Sequence, residues 1–425
     1  MEQTFARELL EFLDASPSCY HAAANVAAVL EQAGYQCLRE YEPWHLERGG
    51  AYYVMRGDST VAAFRIPTGA VRGFLLAAGH SDSPTLKLRQ EAELASPGSC
   101  LRLSVEPYGG GIWRSWLDRP LSVAGRVMIR DGDAVRSRLV NIDRDLLVIP
   151  SVAIHMNRNA NDGMKYMANI DTIPLFSSED PAAAILPMAA EAAGVSPDNV
   201  LGSDLFLYCR GRGVTFGAHN EYILSPRLDD LACAWSCLEG FLAARDTGAL
   251  PILCIFDNEE VGSETKQGAA SAFLRDTLRR IVFALGHDEE AFRTMLARSF
   301  LLSADNAHAI HPNHPEYSDG DNCPHMNAGV VIKFNANQRY ATDGRSCALF
   351  RSICQDAGVP TQVMANRSDL PGGSTLGSIA NTLVPVSTVD IGLSQLAMHS
   401  AWETMGAEDC AYLTAAARQT FETIL

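Results

Sequence analysis

Four apolar runs in this 425-residue chain each end on a residue able to bind a metal ion or move a proton. GFLLAAG leads into His80-Ser81-Asp82, PILCIF into Asp257-Asn258-Glu259-Glu260, SFLLSA into Asp305, and the segment ending SQLAM into His399. Ahead of a helix-period segment beginning at Leu231 stand Arg227-Leu228-Asp229-Asp230. Short continuous apolar runs alternating with helical periodicity mark strands covered on both faces, which means an α/β sheet flanked by helices. In such sheets ligands bind in the crevice at the carboxyl ends of the strands, so the residue after each run is where chemistry is expected to collect.

Helical periodicity covers residues 5–13 and 20–33, the latter closed by Gly34, and β-prone runs follow at 51–56, 60–66 and 73–79. From about 89 to 219 the texture turns β-rich, with runs at 101–105, 121–130 and 146–155 and one alanine-rich helical stretch at 182–193. This reads as a second domain inserted into the first. Alternation resumes after Pro226, with helices expected at 231–245 and 269–280 and strands at 251–256 and 300–304. The expected division is 1–90 and 221–425 for the two parts of one domain and 91–220 for the insertion.

Two divalent ions a few ångströms apart need about three protein donors each with one carboxylate shared, and His together with Asp or Glu suits zinc-like ions. His80, Asp229, Glu260, Asp305 and His399 make such a set. In the pair Glu259-Glu260, one carboxylate can ligate while the other moves a proton. Asp82 falls on the same face of an extended segment as His80, where it can hold the imidazole tautomer. Each site has a structural alternative: Asp229 and Asp230 as helix caps, Glu259-Glu260 as a solvated turn. Their joint placement at strand ends favours function.

His308, His311 and His314 recur every third residue, but Pro312 and Pro315 prevent the helix that would align them, so a loop near the site is expected. Gly109-Gly110-Gly111 lacks a phosphate-binding pattern and is read as a tight turn, and the chain contains no GxSxG. A net charge of −16 argues against general nucleic-acid binding, and no 18-residue apolar run suggests a membrane span. The N-terminus shows no basic region followed by an apolar one, so a cytoplasmic protein is expected. Its 11 cysteines form no CxxC pair and are expected to be reduced thiols. Lysines are few: only Lys87, Lys165, Lys266 and Lys333.

The strings HSDSPTLKLR, YGGGIWRSWLDRPLSVAGRV, IPSVAIHMNR, SPRLDDL, FDNEEVGSETKQGA, SADNAHAIHPNHPE, GVVIKFNANQRYATDG, GGSTLG and DIGLSQLAMHSAWET occur in that order from His80 to Thr404. Together they closely resemble the aspartyl aminopeptidase family of dinuclear metallopeptidases. The resemblance implies a mixed-sheet α/β catalytic domain interrupted by a β-rich dimerisation domain, and a homo-oligomer in the form of a tetrahedral dodecamer. It implies removal of N-terminal Asp or Glu from peptides, with two divalent ions, Zn or alternatively Co or Mn. His80, Glu260, Asp305 and His399 would ligate them with Asp229 bridging. Glu259 would be the general base toward a metal-bridging water, Asp82 the orienter of His80, and Lys333, Tyr340, Gly372 and Gly373 substrate contacts. His155 would reach the active site of a neighbouring subunit to stabilise the oxyanion. Asp230 stands where the family pattern usually has Asn, adding a negative charge beside the metals, and Pro371 is a second departure. A related dinuclear aminopeptidase of neutral specificity, or a deacylase, would use the same ligands with another pocket.

Overall fold

The computed structural model describes residues 2–96, 100–178, 180, 182–370 and 372–424, and Pro371 lies outside the described residues. A nine-stranded sheet runs in the order Gln36–Leu38, Ala51–Arg56, Thr60–Arg65, Leu250–Phe256, Phe74–His80, Phe300–Ala304, Ser387–Gly392, Val330–Phe334 and Thr361–Ala365. Its four central strands, from Leu250–Phe256 to Ser387–Gly392, are parallel, whereas Thr60–Arg65 and Val330–Phe334 pair antiparallel with them. The mixed α/β architecture expected from the alternation is therefore present.

The apolar runs are continuous because both faces of these strands are covered. Phe74, Leu76 and Ala78 pack with Phe273, Leu278 and Phe292 from the helices Phe273–Ala284 and Glu289–Ala297. Leu75 and Ala77 point the other way, into a core with Phe241, Phe350 and Leu413 from the helices Leu228–Ala243, Gly344–Ala357 and Asp409–Phe421. Phe256 lies in register with His80, so Asp257 and Ser81 leave the sheet side by side, and Asp305 leaves the next parallel strand on the same edge.

A second, antiparallel sheet runs Ala134–Asn141, Leu121–Asp131, Val200–Cys209, Thr85–Ala95, Leu101–Tyr108 and Leu175–Ser177. Leu86, Leu103, Val123 and Leu205 form its core together with Ile185 and Ala189 of the helix Ile185–Ala192. The boundary expected at 90/91 falls inside the strand Thr85–Ala95. A small third sheet, Val214–Phe216, Tyr222–Ser225, Glu403–Gly406, Ser394–Leu396 and Ala307–His308, stands beside the main one.

Residues 146–155, expected to form a strand, make only isolated bridges at Leu147 and Val148 before turning at 154–156. Pro150, which has no N–H to donate, sits where a ladder would have to continue. The span Leu228–Ala243 contains non-helical backbone at Asp229 and Asp230, so its regular helix starts at Leu231 as expected, while the helix expected at 269–280 runs from Phe273 to Ala284. No disulfide forms among the described residues, and most of the cysteines are buried. Among the described residues no helix is long and apolar enough to cross a membrane.

Candidate metal centre

Asp229 lies between two imidazoles. Its Oδ1 is 3.7 Å from His80 Nε2, its Oδ2 is 3.4 Å from His399 Nε2, and His399 Nε2 is 3.3 Å from Glu260 Oε2. Among the described residues, two sets of three donor atoms close to within 4.8 Å, His80/Asp229/Glu260 and Asp229/Asp230/Asp305, and Asp229 belongs to both. The five residues expected as ligands, His80, Asp229, Glu260, Asp305 and His399, are thus brought together, around one shared carboxylate.

The main chain around these residues is held in uncommon conformations. Arg227, Asn258 and His399 all have left-handed φ angles, near +60°, +62° and +67°. Such backbone persists in non-glycine residues where surrounding bonds over-determine it. Here two buried carboxylates do so. Glu403 Oε2 accepts the Asp229 N–H at 3.0 Å and its Oε1 accepts the His399 N–H at 2.7 Å. Asp82 Oδ1 and Oδ2 accept the N–H groups of Glu259 and Glu260 at 3.1 and 3.2 Å, and Oδ2 also accepts the Tyr108 hydroxyl at 2.7 Å. Neither Glu403 nor Tyr108 stands out in the sequence, because neither follows a continuous apolar run.

Asp82 does orient His80, but chiefly through its backbone. His80 Nδ1 lies 3.0 Å from the Asp82 carbonyl and 3.4 Å from its carboxylate Oδ1. An Nδ1–H donated to the carbonyl leaves the Nε2 lone pair facing Asp229, the tautomer a metal ligand requires. His399 is set the same way, its Nδ1 lying 2.9 Å from the Gly110 carbonyl. The glycine turn therefore helps to position the His399 imidazole. Gly109 takes φ +73° there, and a Cβ on it would meet Glu260 Cβ at 3.1 Å.

Neighbouring carboxylates differ in charge. His399 and His80 hold Asp229 below the usual carboxylate range against the effect of its burial. Burial, reinforced by Asp305 and Asp229, pushes Asp230 well above that range, while its Oδ2 accepts the His80 N–H at 3.1 Å. Asp230 also belongs to a donor set with Asp229 and Asp305, so a cation bound there would act on it as on its neighbours. The reading of Asp229 and Asp230 as helix caps gives way, because both are buried and no side-chain cap bond forms. Burial pushes Glu259 up to about 8, assisted by Asp305, Asp82 and Asp229.

The donor set fits divalent ions. Asp229 Oδ1 and Glu260 Oε1 are buried with no hydrogen-bond partner among the described residues. Unpaired carboxylate oxygens at that depth are costly unless a cation meets them. Cations bound there would also reverse the upward shifts of Glu259 and Glu260.

Lys333 is 2 % exposed, with Nζ 3.3 Å from Asp305 Oδ1 and 5.5 Å from the centre of the Tyr340 ring. This burial excludes a solvent-facing position for a lysine in the strand Val330–Phe334. Gly372 and Gly373 line a cleft with His308, His311 and Asn366. A Cβ on Gly372 would lie 2.0 Å from Asn366 Nδ2, and that amide in turn is 3.5 Å from the Tyr340 hydroxyl. His311 and His314 lie ring to ring at 5.3 Å, and His314 pairs with Glu316 at 3.0 Å, so this loop flanks the cleft without forming a metal set. His155 is exposed in a turn of the segment following the second sheet's bridges and is not brought to the metal centre of its own chain.

Parallel strands that deliver a buried His/carboxylate cluster, with one carboxylate common to two donor sets, define a metallohydrolase of the α/β class. Comparison with known proteins makes this specific. Residues 12–421 match the family described as aminopeptidase I zinc metalloprotease (M18). A relative from Clostridium acetobutylicum, "Probable M18 family aminopeptidase 2", is 42% identical over 423 residues, 97% of each chain. One of the same name from Pseudomonas paraeruginosa is 41% identical over 413 residues, 95% of each. Among solved structures, the chain in the Ape4 and Nbr1 complex superposes with a TM-score of 0.95 at 35% identity, covering 99% of this chain and 86% of that one. The S. cerevisiae mApe1 dodecamer superposes at 0.87 with 25% identity, covering 99% and 97%. The chain belongs to the M18 family and is a metal-dependent aminopeptidase.

Proposed function

We propose that this aminopeptidase removes N-terminal Asp or Glu residues from peptides at a two-metal centre in which Asp229 is shared and His80, Glu260, Asp305 and His399 complete the ligands. The observation that carries this reading is the opposed placement of the two Asp229 oxygens, each facing one imidazole. Zinc is the ion named for the family, and Co or Mn would suit the same donors. When bound, such ions polarise the scissile carbonyl and acidify the attacking water. Glu259, outside both donor sets, takes the water proton and returns it to the leaving amine. Asp82 holds the Glu259 and Glu260 N–H groups and so keeps base and ligand in fixed relation.

Acidic specificity rests on Lys333. An ammonium has three donors; one is directed to Asp305, which leaves donors for the side-chain carboxylate of a substrate in a desolvated pocket beside Tyr340. The Lys333–Asp305 contact also supports a second reading, in which Lys333 serves only to hold a ligand and specificity is neutral. We further propose that 91–220 is the dimerisation domain of a cytoplasmic dodecamer and that His155 acts in a partner's site. Apolar side chains exposed around His155, including Val152 at 53% and Met156 at 83%, support a covered surface there; the mApe1 relative is a dodecamer.

Chelation followed by add-back of single metals tests the centre: hydrolysis should vanish with far-UV circular dichroism retained, and return with two ions per chain. Full activity in protein shown to be metal-free by elemental analysis would end the reading. Lys333→Met should lower kcat/KM for Asp and Glu substrates at least tenfold more than for Leu substrates; equal losses would favour the ligand-holding role.

A further inference from the structure

The strand Ser387–Gly392, with the sequence STVDIG, carries a single acid into the middle of the main sheet. Val389 and Ile391 point into the core with Phe350, and Asp390 points to the opposite face, fully buried. A carboxylate at that depth has to be met by donors. The nearby ammonium does not supply them: among the described residues Lys333 pairs with Asp305. They come instead from two chain segments that border the candidate substrate pocket.

Asp390 Oδ2 accepts the Ala341 N–H, and the Asp390 N–H donates to the Thr342 hydroxyl at 2.8 Å, so the segment that follows Tyr340 is bonded to the strand twice. Asp390 Oδ1 accepts the Thr375 hydroxyl at 2.7 Å. Thr375 stands at the N-cap of the helix Leu376–Ala380 yet makes no side-chain cap bond there; its hydroxyl is directed to Asp390. Gly377 leaves the carboxylate room, since a Cβ on it would lie 2.4 Å from Oδ1. The contacts close a ring: Asp390 to Ala341 beside Tyr340, the Tyr340 hydroxyl to Asn366 Nδ2 at 3.5 Å, Asn366 against Gly372, and Thr375 back to Asp390. Lys333 lies against this ring, its Nζ over Tyr340.

We infer that Asp390 is a positioning residue for substrate selection, holding the Tyr340 segment and the Gly372-Gly373 loop in fixed relation around the pocket that Lys333 serves. The inference rests on the reading of Lys333, Tyr340 and the two glycines as substrate contacts. Asp390 belongs to neither donor set of the metal centre, so loosening the ring should weaken substrate binding and leave the metals and Glu259 in place. A pocket of fixed width lets the Lys333 ammonium meet a carboxylate at bonding distance, and acidic substrates lose most when it widens.

The test measures KM, kcat and bound metal in the metal-loaded enzyme with Asp- and Leu-initiated peptides. Thr375→Val keeps the shape of the side chain and removes the hydroxyl. It should raise KM for the Asp peptide about 3–10-fold, the loss of one hydrogen bond, and for the Leu peptide less, with kcat and metal content close to those of the parent. Thr375→Ser returns the donor and should return KM to the parent value. In Asp390→Asn the amide oxygen can accept the Ala341 N–H while the NH2 donates to the Thr375 hydroxyl, so KM should again stay near that of the parent. A KM unchanged by Thr375→Val, a loss of metal and kcat in place of a KM rise, or an Asp390→Asn as impaired as Thr375→Val would overturn the assignment. Failure of the acidic reading is told apart by the parent itself, which would then show no preference for the Asp peptide; the KM rise in Thr375→Val would still be required.

Discussion

Glu403 Oε1 accepts the backbone N–H of His399 at 2.7 Å, so this histidine is fixed through its main chain. The second oxygen of the same carboxylate takes the N–H of Asp229 at 3.0 Å. Glu403 thereby ties the shared carboxylate to an imidazole that faces it, and two oxygens are required. Glu403→Gln keeps one acceptor and sets an NH2 against the other N–H, leaving a buried donor unpaired at a cost of about 1–3 kcal/mol. Metal affinity should fall about 10–100-fold, read by calorimetric titration of the metal-free protein. Unchanged affinity would remove Glu403 from the positioning of the centre.

Much of this centre is legible in the sequence, for a physical reason. Strands buried on both faces appear as unbroken apolar runs, so the first polar residue after the run is conspicuous; His80 and Asp305 are marked in this way, and Glu260 closes the polar stretch that opens at Asp257. Glu403 and Tyr108 escape because their strands, Glu403–Gly406 and Leu101–Tyr108, belong to other sheets, and a polar residue there carries no such mark. The strands Thr85–Ala95 and Val200–Cys209 are hidden for a related reason: partial burial breaks their apolar pattern. Nor can spacing disclose that the Asp82 carbonyl, more than its carboxylate, faces His80 Nδ1.

Glu259 and Glu260 are adjacent in sequence yet differ in surroundings: Glu260 belongs to a donor set and lies near His399, while Glu259 does neither. Glu259→Gln should retain metal and lose about 10²–10⁴-fold or more in kcat with KM little changed. Glu260→Gln should lose metal first. Elemental analysis beside turnover separates the two, and interchanged phenotypes would reverse the assignment.

Asp230→Asn should be nearly silent, since the backbone contact that Asp230 makes needs only a neutral acceptor. Its Oδ2 bond to the His80 N–H can be made by an amide oxygen. Thermal midpoint, metal content and kcat should all stay close to those of the parent, stability within about 0.5 kcal/mol. A large change in metal preference would mean that Asp230 is ionised in the loaded site.

Stability at acid pH should report on Glu422, remote from the centre. Hydrogen bonds from Arg245, with a further one from Arg418, lower its carboxyl to about 2. Arg245 Nη2 is 2.7 Å and Arg418 Nε 3.1 Å from its oxygens. A folded-state value below the unfolded one, ~4.3, gives a stabilisation that is complete above that pH and is lost as pH falls toward 2. Since Arg245 is largely exposed, solvent screening keeps the contribution small. The difference in thermal stability between the parent and Glu422→Gln should be present at neutral pH and shrink through the acid range; a gap that widens on acidification would contradict the pairing.

His155 supplies the most demanding test of a site shared between subunits. Within its own chain it sits exposed in a turn among uncovered apolar side chains, away from the ligands gathered at the sheet edge. An imidazole with that placement can reach a reacting carbonyl only in another copy, where it would stabilise the developing oxyanion. His155→Ala should therefore be folded and oligomeric but inactive, and Glu259→Gln inactive for a different reason. Mixed under conditions of subunit exchange, the two form some sites that combine an intact Glu259 from one chain with an intact His155 from its neighbour, and activity should return to a fraction of the parent level. A chain that used only its own residues gives no such rescue, because every site would still lack one of the pair. If mass measurement shows that subunits have exchanged and hydrolysis stays absent, His155 has no role across the interface.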